Sequence, residues 1–421
     1  MTVAYAADVS IQFVPTRHDV VTDMLWLAGV GKDDVVYDLG SGDGRILIAA
    51  VRDFGARKAI GVEHDPALVK QSRAAIEAAG LRDRVEVLAG DLFAQDVSQA
   101  SVVILYLGHQ PNIDLRAKLC RSLKPGARIV AHQFGMGEWP PDKLLRVRTP
   151  YLGMYGVVSN PFTNNPRVPD FADLFEPATF SSVRVWIVPE PVAGVWRGRL
   201  ATIAGERELR LVLHQRIGEV SGTARIVNDG DSDNGVRADL WGDHIRLDGS
   251  LGRPAGKPYF DSLVMLDGHV RGDTLEAKVA TFAGGERRER EWTATREPQD
   301  FAGVWEWACP TGSRTVQLRI ERHDGQLSAT YVDGEKKATV SDFYDFGGGF
   351  YFTHLIGRQP NGSLEITRES GWLVGEAVMD GDVLSGTIDF YPYSRSLGEK
   401  PKDEREIKAG PQPWQPKRVA N

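Results

Sequence analysis

Asp38-Leu39-Gly40-Ser41-Gly42-Asp43-Gly44-Arg45 is the stretch on which the fold turns. The apolar run Val35-Val36-Tyr37 before it reads as a strand, and residues 45–54 after it carry a helical apolar period. Glycines between a strand and a helix let the backbone approach a ligand closely and set the helix N-terminus beside it. The spacing is G-x-G-x-G, with Arg45 where a dinucleotide fingerprint needs its third glycine. Asp38 and Asp43 also put carboxylates where a pyrophosphate would be repelled. Such a loop suits a ligand with a positive end.

Outward from the loop, short apolar runs alternate with amphipathic stretches. Strands are predicted over 59–63, 85–88, 102–107 and 127–132, and helices over 66–79 and 114–123. Repeated βα units of this kind give a parallel sheet. The run Val183-Arg184-Val185-Trp186-Ile187-Val188 completes it before Pro189 and Pro191 break the strand. Gly61-Val62-Glu63 ends the second strand with an acid, and Gly90-Asp91-Leu92 follows the third with another. Acids at three successive strand C-termini line one crevice, where open α/β sheets bind ligands. S-adenosylmethionine, with its sulfonium and ammonium, is a ligand that such a crevice suits. Residues 139–182, rich in Pro, Asn, Gly and aromatics (Tyr151, Tyr155, Phe162, Phe171, Phe175), read as an insertion packed as an ordered flap.

Beyond residue 191 the helical period gives way to short alternating stretches separated by Gly, Asp and Asn, the pattern of an all-β region. Gly194-Val195-Trp196 recurs as Gly303-Val304-Trp305, Leu209-Arg210-Leu211 as Leu318-Arg319-Ile320, and Gly272-Asp273 as Gly381-Asp382, each at an offset of 109 residues. Matches at one offset indicate a duplicated β-domain, barrel- or sandwich-like. Trp196 and Trp305 are expected to anchor the two cores. The predicted organisation is a catalytic domain over 1–190, β-repeats over 191–298 and 299–408, and a tail, 409–421, without fixed structure.

Composition narrows the function. With 57 acidic against 50 basic residues the net charge is -7, which gives no field to hold a nucleic-acid backbone. Two cysteines far apart, Cys120 and Cys309, read as buried small hydrophobes and not as a disulfide. No run of about 18 apolar residues spans a bilayer. The expectation is a cytoplasmic protein. Ala4-Tyr5-Ala6-Ala7 has the small-x-small look of a signal-peptidase site, so an exported or periplasmic protein with a signal remnant is the alternative.

The chain resembles the class I S-adenosylmethionine-dependent methyltransferases, and more narrowly the ATP synthase c-subunit lysine methyltransferases and bacterial proteins similar to them. The resemblance lies in Phe13-Val14-Pro15-Thr16, the run from Asp38 to Arg45, Gly61-Val62-Glu63, Gly90-Asp91-Leu92, Leu105-Tyr106-Leu107, the stretch from Leu123 to Val130, and Phe134-Gly135-Met136-Gly137-Glu138-Trp139. It covers residues 11–142 and implies a Rossmann-like seven-strand α/β domain ahead of the β-repeats. By position it implies that Asp38, Gly40 and Gly42, in one loop with Ser41, Asp43 and Gly44, hold the methionine part. It further implies that Glu63 binds the ribose, that Asp91 and Leu92 bind the adenine, and that Pro15 and Thr16 close over the cofactor. Tyr106 falls where the family's motif faces the transferred methyl.

Acceptor contacts are expected from His109, Phe134 and Trp139, the last two either lining a channel or packing the insertion. His64, His109 and His132 stand at predicted strand ends, but no metal-ligand spacing links them, so no metal is expected. The implied activity is methyl transfer to a neutral amine, with a protein lysine as acceptor and a protein as partner. Alternatives are a small-molecule methyltransferase, or a binding protein with a degenerate cofactor domain whose β-repeats hold a partner or an apolar ligand.

Overall fold

The computed structural model describes residues 13–137, 139–148, 180–202, 205–227, 234–250, 263–283, 286–309, 314–323, 326–340, 342–356, 371–392 and 412–419. Two compact units divide the chain, Met1–Val188 and Pro189–Asn421.

The first unit contains α1 (His18–Leu27), β1 (Val35–Leu39), α2 (Arg45–Arg52), β2 (Lys58–Glu63), α3 (Pro66–Ala78), β3 (Val85–Ala89), β4 (Val102–Leu105), α4 (His109–Ser122), β5 (Arg128–His132), β6 (Lys143–Arg148) and β7 (Phe180–Ile187). The seven strands form one sheet in the order β3-β2-β1-β4-β5-β7-β6. The first five strands run parallel, and β7 is antiparallel to both β5 and β6. Every residue of β1 is buried, as a central strand covered on both faces requires. Val36, Ile104, Val130 and Val185 pack into one core with Met24 and Leu25 of α1 and Leu47 and Ala50 of α2. Chain order reverses between β1 and β4, so the crevice beyond their carboxyl ends is the topological switch point.

Two expectations about local structure need correction. Part of the predicted insertion is β6, the sheet's edge strand; its residues Lys143, Leu144 and Arg146 are exposed, so it carries little of the apolar signal that marks a buried strand. Residues 149–179, with their five aromatics, lie outside the described residues, as do Ala4–Ala7. Helix α4 begins at His109, five residues earlier than its period indicated, so His109 opens a helix rather than ending a strand.

In the second unit, β8 (Gly194–Thr202), β9 (Gly205–Arg216), β10 (Glu219–Ile226), β11 (Asn234–Trp241), β12 (His244–Ser250), β13 (Leu263–Arg271), β14 (Thr274–Ala283) and β15 (Glu286–Arg296) close into an up-and-down barrel. Closure removes the free sheet edges. Its interior is filled by side chains such as Trp196, Leu211, Leu247, Val279 and Trp292.

The second repeat forms two five-stranded sheets. One is β16 (Gly303–Ala308), β17 (Thr315–His323), β18 (Gln326–Asp333) and β19 (Lys336–Thr339), closed at its far edge by β25 (Lys417–Val419). The other is β20 (Asp342–Asp345), β21 (Gly349–Ile356), β22 (Gly371–Asp380), β23 (Val383–Pro392) and β24 (Gln412–Trp414). Both sheets bury side chains in one core, with Trp305 and Leu318 from the first and Phe352 and Leu373 from the second. Arg216 of β9 meets Glu376 of β22 at 2.9 Å, tying barrel to sheets.

The two tryptophans matched at the 109-residue offset share a hydrogen-bond pattern. Trp196 Nε1 donates to the Val192 carbonyl and Trp305 Nε1 to that of Phe301, both at 2.9 Å. An arginine from each repeat's closing strand lies over the indole, Arg296 at 4.9 Å and Arg418 at 5.4 Å. The tail is a further correction: β24 pairs with β23 and β25 with β16, and Trp414 is buried. Its prolines flank two very short strands whose pairing comes from the sheets they meet, not from local pattern.

Candidate active site

The glycine loop is held down by the end of β2. Gly40 and Ser41 N–H donate to the Val62 carbonyl at 2.8 and 3.1 Å. Gly40, Gly42 and Gly44 have φ of 85°, 53° and 80°, the left-handed region that L side chains rarely occupy. Space restricts the loop as well. A Cβ on Gly40 would stand 2.6 Å from Leu107 Cδ2, and one on Gly42 2.2 Å from the Phe13 ring. Sequence spacing therefore found three glycines that the backbone requires.

Each acid plays a distinct electrostatic part. Glu63 accepts from Gly42 N–H at 2.8 Å with one oxygen, and from the N–H groups of His64 and Asp65 with the other. Asp43 forms a forked pair with Arg45, whose Nη2 is 2.5 Å away. Burial works to raise the Asp43 carboxyl, but the Arg45 guanidinium outweighs it and holds the group below the usual carboxylate range. No such cation faces Asp38 among the described residues. Burial, then the charges of Glu63 and Asp43, push it up to about 8. Its Oδ2, like Ser41 Oγ, is buried and makes no hydrogen bond among the described residues. Orphaned polar atoms of this kind call for a partner, and an ammonium fits beside Asp38. Asp91 is exposed after β3 and accepts from Phe93 N–H at 2.8 Å. Lys118 of α4 donates to the carbonyls of Leu92 and Phe93, fixing the loop that carries Leu92.

Aromatic rings gather at the ends of β4 and β5. Tyr106 lies 4.1 Å from the ring of His132 and 6.0 Å from that of Phe134. Burial raises the Tyr106 hydroxyl, and burial followed by the Arg184 charge lowers His132 to about 4. Thr16, itself buried, brings Oγ1 to 3.4 Å from His132 Nδ1, and its carbonyl accepts from Arg45 Nη1 at 2.9 Å. The segment before α1 is thereby tied to the glycine loop on one side and to β5 on the other. Pro15, beside it, is exposed.

The structure brings Thr16, Tyr106 and Phe134 together and adds His132 and Gln133, which the motifs did not single out. Gln133 has φ 68°, uncommon for a non-glycine residue, and Phe134 N–H reaches back to the His132 carbonyl at 2.8 Å. Ser182 and Arg184 of β7 hold this tight turn through the Gln133 backbone. Trp139 stands apart from the cluster: it is buried, its ring partner is Trp186, and its carbonyl accepts from Trp186 Nε1. It packs the sheet edge. His109 lies in the first turn of α4, after Gly108 at φ 112°.

A Rossmann-like sheet of this strand order, with a glycine loop after β1 and acids following β2 and β3, defines an S-adenosylmethionine-dependent methyltransferase. Residues 38–143 match the family model described as the ANTKMT methyltransferase domain. A protein-lysine N-methyltransferase of Saccharolobus islandicus (strain REY15A) is 42% identical over 137 residues, 32% of this chain and 85% of that protein. The ATP synthase c-subunit lysine N-methyltransferase of Homo sapiens is 33% identical over 134 residues, 32% of this chain and 56% of that protein, so the chain spans just over half its length. An RNA methyltransferase structure from Salinibacter ruber, in complex with S-adenosyl-L-homocysteine, is 40% identical and covers 42% of this chain and 96% of its own, with a TM-score of 0.34. The chain belongs to the protein-lysine methyltransferase family represented by the Saccharolobus protein. It is an enzyme whose methyl donor is S-adenosylmethionine.

Among the described residues, no helix is long and apolar enough to cross a membrane.

Proposed function

We propose that the protein transfers a methyl group to the side-chain amine of lysine in a protein substrate. The observation that carries this reading is the ring cluster of Tyr106, His132 and Phe134 at the ends of β4 and β5, next to the acid-lined loop after β1. A lysine amine attacks only when neutral. Desolvation among rings, beside a sulfonium, shifts its pKa downward as attack requires. The likeness to protein-lysine methyltransferases supports the same acceptor.

When bound, S-adenosylmethionine supplies an activated methyl carbon. The chain's own residues bind, orient and exclude water. Asp38 and the loop from Gly40 to Gly44, Ser41 and Asp43 included, hold the methionyl ammonium and its neighbours. Glu63 uses its remaining lone pairs for the ribose hydroxyls. Asp91 and Leu92 border the adenine. Tyr106 faces the methyl, and Pro15 with Thr16 closes the site. In-line displacement at an activated carbon needs alignment above all, so this reading assigns no covalent intermediate and no metal. All the chemistry is assigned to Met1–Val188, and the protein substrate is the partner.

The test is transfer of labelled methyl from S-adenosylmethionine by the full chain into a protein lysate, with mass-spectrometric location of the label. A second arm uses lysate whose lysines have been acetylated, and a third a small-molecule extract. Label on lysine that disappears after acetylation supports the proposal. Label that survives acetylation, or that appears in the extract alone, overturns it.

A further inference from the structure

His132 is buried, sits at the carboxyl end of β5, and belongs to no motif that the cofactor requires. Its position is over-determined. Ala131, the residue before it, pairs with Leu105, so His132 lies beside Tyr106 at the end of the neighbouring strand. One face of the imidazole meets the Tyr106 ring at 4.1 Å. Its Nδ1 faces Thr16 Oγ1 at 3.4 Å, and Thr16 is held through its carbonyl by Arg45, which is paired with Asp43 of the glycine loop. On the other side, the tight turn at Gln133 returns Phe134 toward Tyr106, and Arg184 fixes that turn through the Gln133 carbonyl at 2.5 Å. With all this support, Nε2 makes no hydrogen bond among the described residues. With one ring nitrogen engaged by Thr16, the other is available to a hydrogen-bond donor in the site.

We propose that His132 Nε2 accepts a hydrogen bond from the attacking amine and thereby aims the nitrogen lone pair at the methyl carbon, with Thr16 as the positioning residue that sets the tautomer. The assignment rests on the lysine reading above. Nδ1–H donates to Thr16 Oγ1, which leaves the lone pair on Nε2. One N–H of the neutral amine donates to it, and the amine lone pair is then free on the opposite side. In the transfer a nitrogen–carbon bond forms, the carbon–sulfur bond breaks, and its electron pair leaves on sulfur. The product is a methylammonium and a neutral thioether, so charge balances. His132, lowered by burial and by Arg184, does not take the proton. The methylammonium releases it to solvent.

The experiment compares the full chain with His132→Phe, Thr16→Val and Thr16→Ser, using a lysine substrate peptide taken from the labelling experiment. Phenylalanine keeps a ring against Tyr106 and removes both nitrogens. The expected result is a fall in kcat on the order of 100-fold for His132→Phe with the dissociation constant for S-adenosylmethionine within about threefold of wild type. Thr16→Val should lose roughly tenfold in kcat, and Thr16→Ser should recover it, a rescue that a merely structural role would not give. His132→Phe with kcat within threefold of wild type overturns the proposal. So does a loss that appears wholly in cofactor binding, or equal losses in Thr16→Val and Thr16→Ser. If His132→Phe does not fold, the Thr16 pair decides. Wild-type lysine methylation with an active His132→Phe overturns this assignment alone, whereas wild-type transfer to another acceptor overturns both it and the lysine reading.

Discussion

Asp38 and Glu63 follow neighbouring parallel strands to the same crevice, and they are held in opposite ways. The Glu63 carboxylate accepts from three backbone N–H donors, whereas Asp38 is buried, has an Oδ2 without a hydrogen bond among the described residues, and is pushed up to about 8 by burial and by the charges of Glu63 and Asp43. One acid builds the loop. The other stores an unmet demand for a cation.

That demand gives a pH dependence with a definite sign. The folded pKa of Asp38 lies above its unfolded value of about 3.9, so its contribution to stability is complete below that value and is lost as pH rises to about 8. The ligand-free protein should therefore melt at lower temperature at pH 8 than at pH 6, and Asp38→Asn should flatten the difference. Cofactor binding should release a proton below pH 8. Titration calorimetry in two buffers of different ionisation enthalpy reads this directly, and equal heats in both would refute the assignment.

Two glycines near the loop should separate function from stability. Gly61→Ala would place a Cβ 2.5 Å from Ser41 Oγ and 2.6 Å from Leu47 Cδ1, both buried, so overpacking should cost about 1–3 kcal/mol of stability. Gly42→Ala instead meets the ring of Phe13, an exposed side chain that can swing aside, and the left-handed φ of 53° adds about 1 kcal/mol. Chemical denaturation should show the larger loss for Gly61→Ala. Cofactor titration should show the larger loss for Gly42→Ala, whose methyl enters the loop itself.

In the β-unit the two arginines stacked on duplicated tryptophans differ in depth. Arg296 is buried and donates to the carbonyls of Pro191, Gly272 and Phe346 and to Asp273. Arg418 is exposed and reaches the Ala302 carbonyl. Removing Arg296 leaves buried acceptors unpaired, so Arg296→Ala should cost roughly 3 kcal/mol. Arg418→Ala should cost under about 1 kcal/mol, the scale of an exposed cation–π contact. Comparable losses in denaturant midpoints for the two variants would contradict this difference in burial.

The legible parts of the molecule are those whose cause is local. The glycine loop, the acids after β1, β2 and β3, and the strand-helix alternation follow from backbone sterics and apolar period, and the 109-residue offset marked the paired tryptophans. Gln133 escaped, and His132 was marked only by its place at a strand end, because their surroundings come from non-local partners: Thr16 stands 116 residues from His132 in sequence, and Ser182 and Arg184 hold Gln133 from β7. By motif Trp139 is open between lining a channel and packing the insertion, and its ring partner is Trp186 on β7. Edge strand β6 and the tail strands hid for a related reason. A strand whose register is chosen by its neighbour carries little pattern of its own.

The tail offers the sharpest test of that dependence on neighbours. Trp414 is inserted among Trp307 at 5.1 Å, Phe352 at 5.9 Å and Phe350 at 6.1 Å, and so belongs to the core of the second repeat. Trp414→Ala should cost about 3–5 kcal/mol, as for a large aromatic removed from a packed interior. Its indole N–H is buried without a hydrogen bond among the described residues, so Trp414→Phe discards that donor while keeping a ring. The loss for phenylalanine should therefore be well below that for alanine, within about 1.5 kcal/mol of wild type. Denaturant unfolding of the full chain, followed by near-ultraviolet circular dichroism, measures both. A wild-type midpoint for Trp414→Ala would return the tail to the unstructured state that its prolines suggested.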